Sequence, residues 1–533
     1  MSGASTGAVS TTDRSERSWT VGTAPGIFPF LSHGIALFRR PLDFLNSLPR
    51  RGDIVRIRLG PVPAWIVCHP ELVHRMLVDT RTFDKGGSQY DRLRTLMGDG
   101  LVTSRQETHR RQRRLLQPRF HATRVAAYTE LMGAEAAALC DTWRPGRRVD
   151  VSATTMALTT RVTSRVLLSD TLDEAAAAEL RECLSTVVRG LFVRTVVPLD
   201  APFRVPLPAN RRYRDALERL HGLIDAAVAR RRAQAPRDDL LGTLLAAERG
   251  QDGPAITGQE VHDHLITLLL TGVETTALLL ASLFSLLARH PEAERRVHEE
   301  VDTVLGGRAP TAAELPLLVH TGNVVTETLR HSPPGWLFTR VTTEETELGG
   351  CRIPRGATVL YSPYLLHHDP ASFPEPERFL PDRWLPGRTA AVPHGAMLPF
   401  AAGNRKCIGD ALAVAEATVA VATIAGRLRL RHPPGPVAPL RPAVTLGPRS
   451  LVMTCEPRPV RAGPSRPGAP QPGAGRTCPA APGPAPLRPA SAEPPPLRPA
   501  SAGPTSPEPA PPGPSGTPPR SVRQQDHSDP KGR

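Results

Sequence analysis

A run of 23 largely apolar residues, LITLLLTGVETTALLLASLFSLL at 265–287, constrains the fold of this chain more than any other stretch. Its length would suffice to cross a lipid bilayer. Glu274 lies near its centre beside Thr275, however, and a carboxylate in the middle of a bilayer is costly. A helix through the centre of a large soluble protein is also apolar on every side. The sequence therefore predicts a long buried helix in a large folded domain, and no stable membrane span.

The polar positions inside this predicted helix need an explanation. A buried carboxylate has to be paired, hydrated or protonated. Glu274, next to the hydroxyl of Thr275, can pass protons to a ligand bound in an apolar cavity. The alternative is structural: Thr271 and Thr275 donate to carbonyls of the preceding turn, and Glu274 extends to solvent. The residues alone leave both interpretations open.

The C-terminal segment 457–533 differs in composition from the rest of the chain. It holds 24 of the 59 prolines, no Phe, Trp or Tyr, and the repeat PLRPASA at 486–492 and 496–502. Such a segment cannot bury enough apolar surface to offset the entropy of ordering it. We predict a disordered N-terminus over 1–24, one folded domain over 25–456 and a disordered Pro-rich tail over 457–533. An alternative is that the tail is the working part and engages an aromatic groove of a partner.

Charge and cysteine content restrict the class of function. The formal net charge of +15 would suit nucleic acid, an anionic membrane or an acidic protein partner. Nucleic-acid binding favours basic residues interleaved with aromatics, and only 4% of the residues are aromatic, so no nucleic-acid partner is predicted. The seven cysteines are widely spaced without a CxxC, which argues against disulfides and structural zinc. With no apolar signal sequence, the chain is predicted to be cytoplasmic.

Hydrophobic periodicity predicts a mostly α fold with a minor β part. Residues 52–69 alternate and are expected to form a β-hairpin that turns at LGPVPA. Helices are expected at 107–120, 122–143, 173–191, 210–233, 238–248, 259–289, 291–307, 313–331 and 408–428. Short strands are expected at 338–348, 357–361, 427–432 and 450–455.

The stretch FAAGNRKCIGD at 400–410 places Cys407 between a glycine-containing loop and the start of a predicted helix. A thiolate there would face backbone N–H groups and the positive end of the helix, which both favour the charged form. The small residues let the backbone approach a flat partner, and Arg405 can pair with an anionic group on it. This environment suits an axial thiolate ligand of a haem iron. The alternative is a buried structural cysteine beside a surface arginine.

A third pattern is ETLR, which places Glu327 and Arg330 three residues apart on one predicted helix. Such pairs are common on exposed helices and carry little information alone. This pair lies in an apolar helix that is followed by Pro333 and Pro334. We therefore expect a buried ion pair that needs a further partner.

Together these stretches resemble the cytochrome P450 family of haem-thiolate monooxygenases. The family pattern Phe-x-x-Gly-x-Arg-x-Cys-x-Gly matches Phe400, Gly403, Arg405, Cys407 and Gly409. The pattern of a small residue, Gly, any residue, an acid and Thr in the central helix matches Gly272, Glu274 and Thr275. The Glu-x-x-Arg pair and its arginine partner match Glu327, Arg330 and Arg383 of FLPDR, with Arg378 of the neighbouring PERF as a rival. The resemblance extends over roughly 25–456.

The resemblance implies a P450 fold and a set of roles. Haem b would be held with Cys407 as the axial iron ligand. Its propionates would be bound by His109, Arg113, Arg340 and Arg405, and Phe400, Gly403 and Gly409 would line the cofactor. Glu274 and Thr275 would be catalytic and deliver protons, whereas Glu327, Arg330 and Arg383 would form a structural triad. Electrons would come from a ferredoxin and a ferredoxin reductase, and an acidic ferredoxin suits the basic segment RRQRR at 110–114 on charge grounds.

The substrate is less constrained. The 85–104 loop, the central helix and GWLF at 335–338 are expected to wall an apolar pocket, although core packing would also explain Trp336, Leu337 and Phe338. Several segments resemble bacterial terpene oxygenases such as pentalenene oxygenase, which implies a hydrophobic, sesquiterpene-like substrate in secondary metabolism. A fatty acid or polyketide substrate, or a haem protein without oxygen turnover, is the alternative.

Two departures from the family pattern bear on the site. Thr271 stands where Ala or Gly is usual and adds bulk beside the predicted oxygen pocket. Ala401 and Ala402 follow Phe400, where a glycine is frequent. The segment HHDP at 367–370 could suggest a metal site, but neighbouring side chains on an extended segment point apart, so none is predicted.

Overall fold

The structure is a computed structural model that describes residues 18–26, 32–196, 201–251, 255–389, 392–437 and 439–458. Residues 1–17 of the predicted disordered N-terminus lie outside the described residues, and so does the Pro-rich tail from 459 onward. Residues 18–24, also predicted to be disordered, include a strand, Val21–Thr23, that pairs with Ile54–Arg56. Ordered contacts reach Arg458, whose side chain pairs with Asp302. The folded domain therefore continues at least two residues past the boundary drawn at 456.

Helices make up most of the fold, as predicted. They are α1 (Ser32–Arg39), α2 (Pro41–Asn46), α3 (Pro70–Val78), α4 (Gly87–Met97), α5 (Gln106–Leu116), α6 (Ala122–Ala127), α7 (Thr129–Thr142), α8 (Val151–Leu168), α9 (Glu174–Val196), α10 (Ala201–Arg204), α11 (Pro208–Arg232), α12 (Leu240–Glu248), α13 (Gly258–Leu287), α14 (Pro291–Leu305), α15 (Val319–His331), α16 (Pro363–His367) and α17 (Asp410–Arg427). The helix predicted over 313–331 is divided, because Pro316 lies in a separate 3₁₀ turn, Ala312–Leu317, before α15.

The strands form a six-stranded mixed sheet, a three-stranded sheet and two two-stranded ribbons. They are β1 (Val21–Thr23), β2 (Ile54–Leu59), β3 (Val62–Val67), β4 (Phe83–Asp84), β5 (Arg148–Asp150), β6 (Phe338–Thr342), β7 (Thr346–Leu348), β8 (Cys351–Ile353), β9 (Thr358–Tyr361), β10 (Leu428–Arg431), β11 (Arg441–Pro442), β12 (Leu446–Gly447) and β13 (Val452–Pro457). The main sheet has the order β1-β2-β3-β9-β6-β4, and β10-β13-β5 form a second one. The predicted hairpin is confirmed: β2 and β3 are antiparallel, with Leu59 opposite Val62.

The central apolar segment forms α13, the longest helix among the described residues. It begins with a capping box in which Thr257 and Glu260 bond each other's backbone N–H, as Thr-x-x-Glu sequences favour. The helix passes a length and hydropathy test for a membrane span, but 83% of its most apolar stretch is buried inside the protein. It is therefore the core helix that the sequence predicts.

Helix α8 is the main element that sequence periodicity did not predict. Its sequence, VSATTMALTTRVTSRVLL, is rich in β-branched residues, which lower helix propensity. Thr155, Thr159 and Thr160 donate their hydroxyls to carbonyls four residues earlier, so these groups are satisfied within the helix. The hydroxyl of Thr159 also lies 3.1 Å from the carbonyl oxygen of Val273 in α13. Packing against α13 thus overrides a weak local preference.

Candidate active site

Cys407 lies in the short loop that joins a 3₁₀ turn, Gly403–Arg405, to α17. Its backbone N–H donates to the carbonyl of Phe400 at 2.9 Å, which closes the loop. Gly403 has a φ of +66°, and a Cβ atom there would lie 2.4 Å from the carbonyl oxygen of Leu77. Glycine is therefore required at this position. Ala401 adopts a φ of +58°, a conformation that a residue with a Cβ reaches only at an energetic cost.

The thiol of Cys407 is accessible and yet lies within the protein. It is the exposed member of the six described cysteines. Burial is nevertheless the largest influence on its pKa and raises it, while the Gly409 N–H and then the charges of Arg113 and Lys85 lower it. Both observations are met if the sulfur faces an internal cavity that is walled by protein. The thiol is thus placed to meet a bound group, as an axial ligand requires.

The middle of α13 has an accessible face. Thr271, Gly272 and Thr275 are partly exposed, although the residues around them are buried. Thr271 and Thr275 are one turn apart and so point the same way. The hydroxyl of Thr275 donates to the carbonyl of Thr271 at 2.7 Å. Exposure at the centre of a buried helix indicates a cavity against this face.

Glu274 lies beside Thr275 in sequence but belongs to the buried part of the helix. Its side chain is 6% exposed. Burial raises the pKa of Glu274, and the nearby Arg449 and Thr445 lower it by less. The Thr445 hydroxyl makes no hydrogen bond with good geometry, so this contact is loose. Glu274 is thus a carboxyl group whose burial favours the neutral form more than in an exposed glutamate, next to a loop whose Arg449 is exposed.

The four predicted propionate ligands come from three different parts of the chain and lie together. His109 and Arg113 are one turn apart on α5, Arg340 is on β6 and Arg405 precedes Cys407. Burial, and after it the charges of Arg405, Lys85, Arg113 and Arg340, together lower the pKa of His109 to about 2. The imidazole is therefore neutral at pH 7 among cations, and its ring makes no hydrogen bond to the residues that the structure describes.

Lys85 is a member of this group that the motifs did not indicate. It follows β4, directly after Asp84, and its ammonium group lies 5.6 Å from the centre of the Tyr90 ring. Burial and then the charges of Arg340 and Arg405 hold the pKa of Lys85 well below its ordinary value, while Cys407 and Asp84 act against them. We call Lys85, Arg340 and Arg405, with His109 and Arg113, the cationic cluster. A signal was available, because lysine is rare in this chain and Lys85 lies in the predicted pocket loop.

The charges of the cationic cluster are not balanced by the protein. Asp84 is the carboxylate that acts on Lys85, Arg340 and Arg405 alike, and it accepts a hydrogen bond from Arg405 at 2.6 Å. Two buried guanidinium groups and one partly buried ammonium group thus face one carboxylate. The Nε groups of Arg340 and Arg405 also have no hydrogen-bond partner. A ligand with two carboxylates, as haem has, supplies both the missing charge and the missing acceptors.

The Glu327 pair is a second buried charge group with a different composition. Both carboxylate oxygens of Glu327 accept hydrogen bonds from Arg330, at 2.9 and 3.0 Å. Arg383 lies 3.3 Å from Glu327, whereas the side chain of the rival Arg378 pairs with Glu375 at the surface. The indole of Trp384 also donates to Glu327 at 2.9 Å, a contact that the motif did not indicate.

Two other predicted features have structural roles. Trp336 is buried and donates its indole N–H to the carbonyl of Ala443, so it belongs to the core, while Leu337 and Phe338 stay partly accessible. In HHDP, His367 accepts the backbone N–H of Leu398 at 2.9 Å. Within the described ranges, no group of three His, Cys, Asp or Glu side chains is arranged to hold a metal ion.

A separate groove of about 580 Å³ lies between α11 and the start of α13. His221 and His262 line it, with ring nitrogens 3.1 Å apart. None of the predicted site residues borders it. The accessible face of α13, Cys407 and the cationic cluster therefore define the candidate site.

Comparison with known proteins identifies the family and the fold. The sequence profile of the family described as Cytochrome P450 matches residues 24–453. The crystal structure of the cytochrome P450DA heme domain superposes with a TM-score of 0.75, at 24% identity, and covers 84% of this chain and 100% of that one. This chain belongs to the cytochrome P450 family. It is a monooxygenase, with the haem iron as the family's cofactor and electrons supplied by redox partners.

Three relatives extend over most of the chain. Cyclooctat-9-en-7-ol 5-monooxygenase from Streptomyces melanosporofaciens is 50% identical over 83% of this chain and 96% of its own length. Cyclooctatin synthase from the same organism is 48% identical over 83% of this chain and 97% of its own length. Pentalenene oxygenase from Streptomyces avermitilis is 42% identical over 82% of this chain and 97% of its own length.

Proposed function

We propose that this P450 is a terpene monooxygenase of secondary metabolism, which inserts one oxygen atom of O2 into a C–H bond of a hydrophobic terpene. The observation that carries the proposal is the 42–50% identity to three oxygenases over more than four fifths of the chain. The partly accessible Leu337 and Phe338 and the methyl-bearing face of α13 supply apolar surface for such a ligand.

We further propose that the site holds haem b, with Cys407 as its axial ligand. Arg340, Arg405 and Lys85 bind the two propionates, assisted by His109 and Arg113. Phe400, Gly403 and Gly409 shape the loop that brings the sulfur to the iron. When bound, the thiolate-ligated haem supplies the activation of oxygen that no side chain can perform.

Proton delivery falls to Thr275 and Glu274. The Thr275 hydroxyl donates a hydrogen bond to the Thr271 carbonyl, so its oxygen lone pairs are left to accept a hydrogen bond from a group in the cavity. Burial raises the pKa of Glu274, so its carboxyl group binds a proton more readily than an exposed glutamate and can pass it on. The nearby Arg449 is exposed, which supports a proton path from the surface through Glu274.

The proposed electron donors are a ferredoxin and its reductase, in the cytoplasm. In the basic segment, Arg111 pairs with Glu260 and Arg113 donates to the carbonyl of Lys406. Arg110 and Arg114 stay exposed and make no ion pair with the described residues. These two side chains are therefore the ones that an acidic ferredoxin would contact.

The first test of the proposal is the absorption spectrum of the reduced protein with carbon monoxide. We expect a strongly red-shifted Soret band in the wild type, its loss in Cys407→Ser, and its retention in Cys351→Ser, which changes a buried cysteine of β8. A spectrum typical of histidine-ligated haem in the wild type, or an unchanged band in Cys407→Ser, would refute the thiolate assignment.

The second test concerns the substrate class. We expect cyclooctat-9-en-7-ol or pentalenene to displace water from the ferric haem and give a low-spin to high-spin shift, and palmitate to give none. A shift with palmitate alone would favour the fatty acid alternative. A shift with a terpene, but no oxidised product with ferredoxin, reductase and NADPH, would favour a haem protein without turnover.

A further inference from the structure

The groove between α11 and the start of α13 contains a pair of histidines that the proposed function does not use. His221 of α11 and His262 of α13 meet through their ring nitrogens, with Nδ1 of His221 3.1 Å from Nε2 of His262. Their ring planes are inclined to each other by 23°. His262 is buried, whereas His221 is partly exposed to the groove. At this distance one nitrogen donates a hydrogen bond and the other accepts it.

This contact tolerates one added proton but not two. Neutral rings form an N–H···N bond, and a single added proton still leaves one ring to donate and the other to accept. A second proton turns both facing nitrogens into donors and places two positive charges side by side, so the hydrogen bond is lost and the rings repel each other. Burial and the charge of His262 accordingly lower the pKa of His221, while Asp225 and Asp263 act against them.

The carboxylates that face the pair do not balance two positive charges. Asp225 lies one turn after His221, and its carboxylate is 3.7 Å from Nε2 of His262. The carboxylate of Asp263 is 4.0 Å from Nδ1 of His262, but it already accepts hydrogen bonds from Gln259 and from a backbone N–H of the loop after α4. Asp225 is thus the carboxylate left for the pair, and its side chain is 70% exposed, so water weakens its effect.

The other charges near the pair are matched among themselves. Arg232 of α11 lines the groove and pairs with Glu248 of α12 at 2.6 Å. Glu260, in the first turn of α13, pairs with Arg111 of α5. Each of these pairs has no net charge, so neither removes the repulsion between two protonated rings.

The histidine pair joins two parts of the fold. Helix α11 packs tightly on α9, where a Cβ atom added to Gly190 would lie 2.3 Å from the Tyr213 ring. The C-terminal end of α9 is in turn bound by α4, since Arg92 donates to the carbonyl of Arg194. On the α13 side, the groove gives water access to the pair, so two protonated rings can separate and become hydrated without unfolding either helix.

We propose that His221 and His262 form a pH-sensitive latch, which holds α11 against the start of α13 while the pair carries at most one added proton and releases it when both rings are protonated. Release takes up one proton. The closed contact is therefore favoured above pH 6.5, the ordinary pKa of histidine, and weakens as the pH falls below that value. This inference goes beyond the proposed function and does not depend on the ligand.

Hydrogen exchange measured by mass spectrometry tests the latch in the haem-loaded full chain at pH 7.5 and 5.5, with rates corrected for the pH dependence of unstructured peptides. We expect the amides of α11 to open about tenfold more often at pH 5.5, because the released ring gains a proton with a pKa near 6.5. Helix α8 also packs on α13 and contains no histidine, so it is the internal reference. Its exchange should change less than about twofold.

Two variants each remove one titrating ring. An Asn amide lies near the position of a histidine Nδ1 and a Gln amide near that of Nε2, so His221→Asn and His262→Gln keep a polar group at the contact. Either variant should abolish the pH dependence of α11. His121→Gln, which changes an exposed histidine, should retain it.

Three results would overturn the proposal: an unchanged exchange rate of α11 in the wild type, an equal rise in α8, or a pH dependence that persists in both latch variants. If one variant takes up no haem, the other still decides whether the pair is responsible. The carbon monoxide spectrum tests the proposed function separately, and either proposal can fail without the other.

Discussion

Two groups of buried charged side chains in this molecule differ in whether the protein supplies all their hydrogen-bond partners and counter-charges. Around Glu327, every polar atom of Arg330 is used: its Nε and Nη2 donate to the carboxylate, and its other N–H groups donate to the carbonyls of His367, Pro376 and Arg378. Glu327 in turn accepts from Arg330, the Leu380 N–H and Trp384.

The cationic cluster lacks such completion. The ammonium group of Lys85 makes no hydrogen bond to the described residues, and the Nε groups of Arg340 and Arg405 have no partner. Evolution can leave buried charges unpaired only where something else pairs them, since each unpaired charge destabilises the fold. A complete buried charge group therefore indicates a structural role, and an incomplete one indicates a ligand site.

The largest expected effect comes from breaking the complete group. Glu327→Gln should destabilise the protein by about 3–5 kcal/mol, because it leaves the fully buried Arg330 without its counter-charge. The loss should be similar with and without haem, since no ligand is involved. Urea denaturation of both forms measures it.

Glu375→Gln is the matched control for this variant. Glu375 forms a surface pair with Arg378, and its loss should cost less than about 1 kcal/mol. A Glu327→Gln protein as stable as this control would contradict the distinction between the two groups.

The intermediate effect comes from a change in the cationic cluster, which should not lower the stability of the apoprotein as Glu327→Gln does. Lys85→Met should leave the apoprotein equally stable or stabilise it by about 1 kcal/mol, because it removes a buried cation next to two others. Haem should dissociate about tenfold faster, since one charge-assisted bond to a propionate is lost. Denaturation of the apoprotein and haem transfer to apomyoglobin measure the two effects.

Lys406→Met makes the same chemical change next to Cys407, at a side chain that is half exposed and pairs with Asp410. It should alter neither quantity by more than a factor of two. If Lys85→Met destabilised the apoprotein while haem retention stayed unchanged, the cluster would be structural and the comparison would fail.

The effect that is smallest near neutral pH is a pH dependence. The pKa of His109 is about 2 in the fold, below its unfolded value near 6.5. Below pH 6.5 the His109 ring is protonated in the unfolded chain but stays neutral in the folded apoprotein. The free energy of unfolding therefore falls as the pH drops from 6.5 toward 2. His109→Gln should remove about 1.4 kcal/mol per pH unit from this slope.

The measurement is denaturation of the apoprotein at pH 7, 6 and 5, with the exposed His121→Gln as the control. An identical slope in wild type and His109→Gln would show that the ring is already protonated or exposed. Haem loading should reduce the slope, because propionates favour the protonated ring.

Much of the site could be predicted from the sequence, because its parts are local. One tight contact with the carbonyl of Leu77 requires glycine at 403. The residues at 400–409 form a single short loop around Cys407, and the uninterrupted apolar length of α13 identifies a buried helix. Such constraints act within a few residues, so spacing alone carries them. The roles assigned to the individual site residues remain proposals until the variants above are made.

The parts that could not be predicted depend on distant contacts. Helix α8 has an unfavourable local composition and is stabilised by its packing against α13. Lys85 is informative only beside Arg340 and Arg405, which are more than 250 residues away in the chain. Neither hydrophobic periodicity nor a short motif indicates contacts between residues so far apart in the sequence.

The incomplete cationic cluster also links the amount of this enzyme in the cell to the supply of its cofactor. A ligand that binds only the folded chain stabilises it by mass action, and unpaired buried cations make the unliganded chain less stable to begin with. Newly made chains that find no haem would therefore unfold more often and be degraded sooner by cellular proteases. The charges that bind the cofactor thus also make the lifetime of the protein in the cell depend on haem.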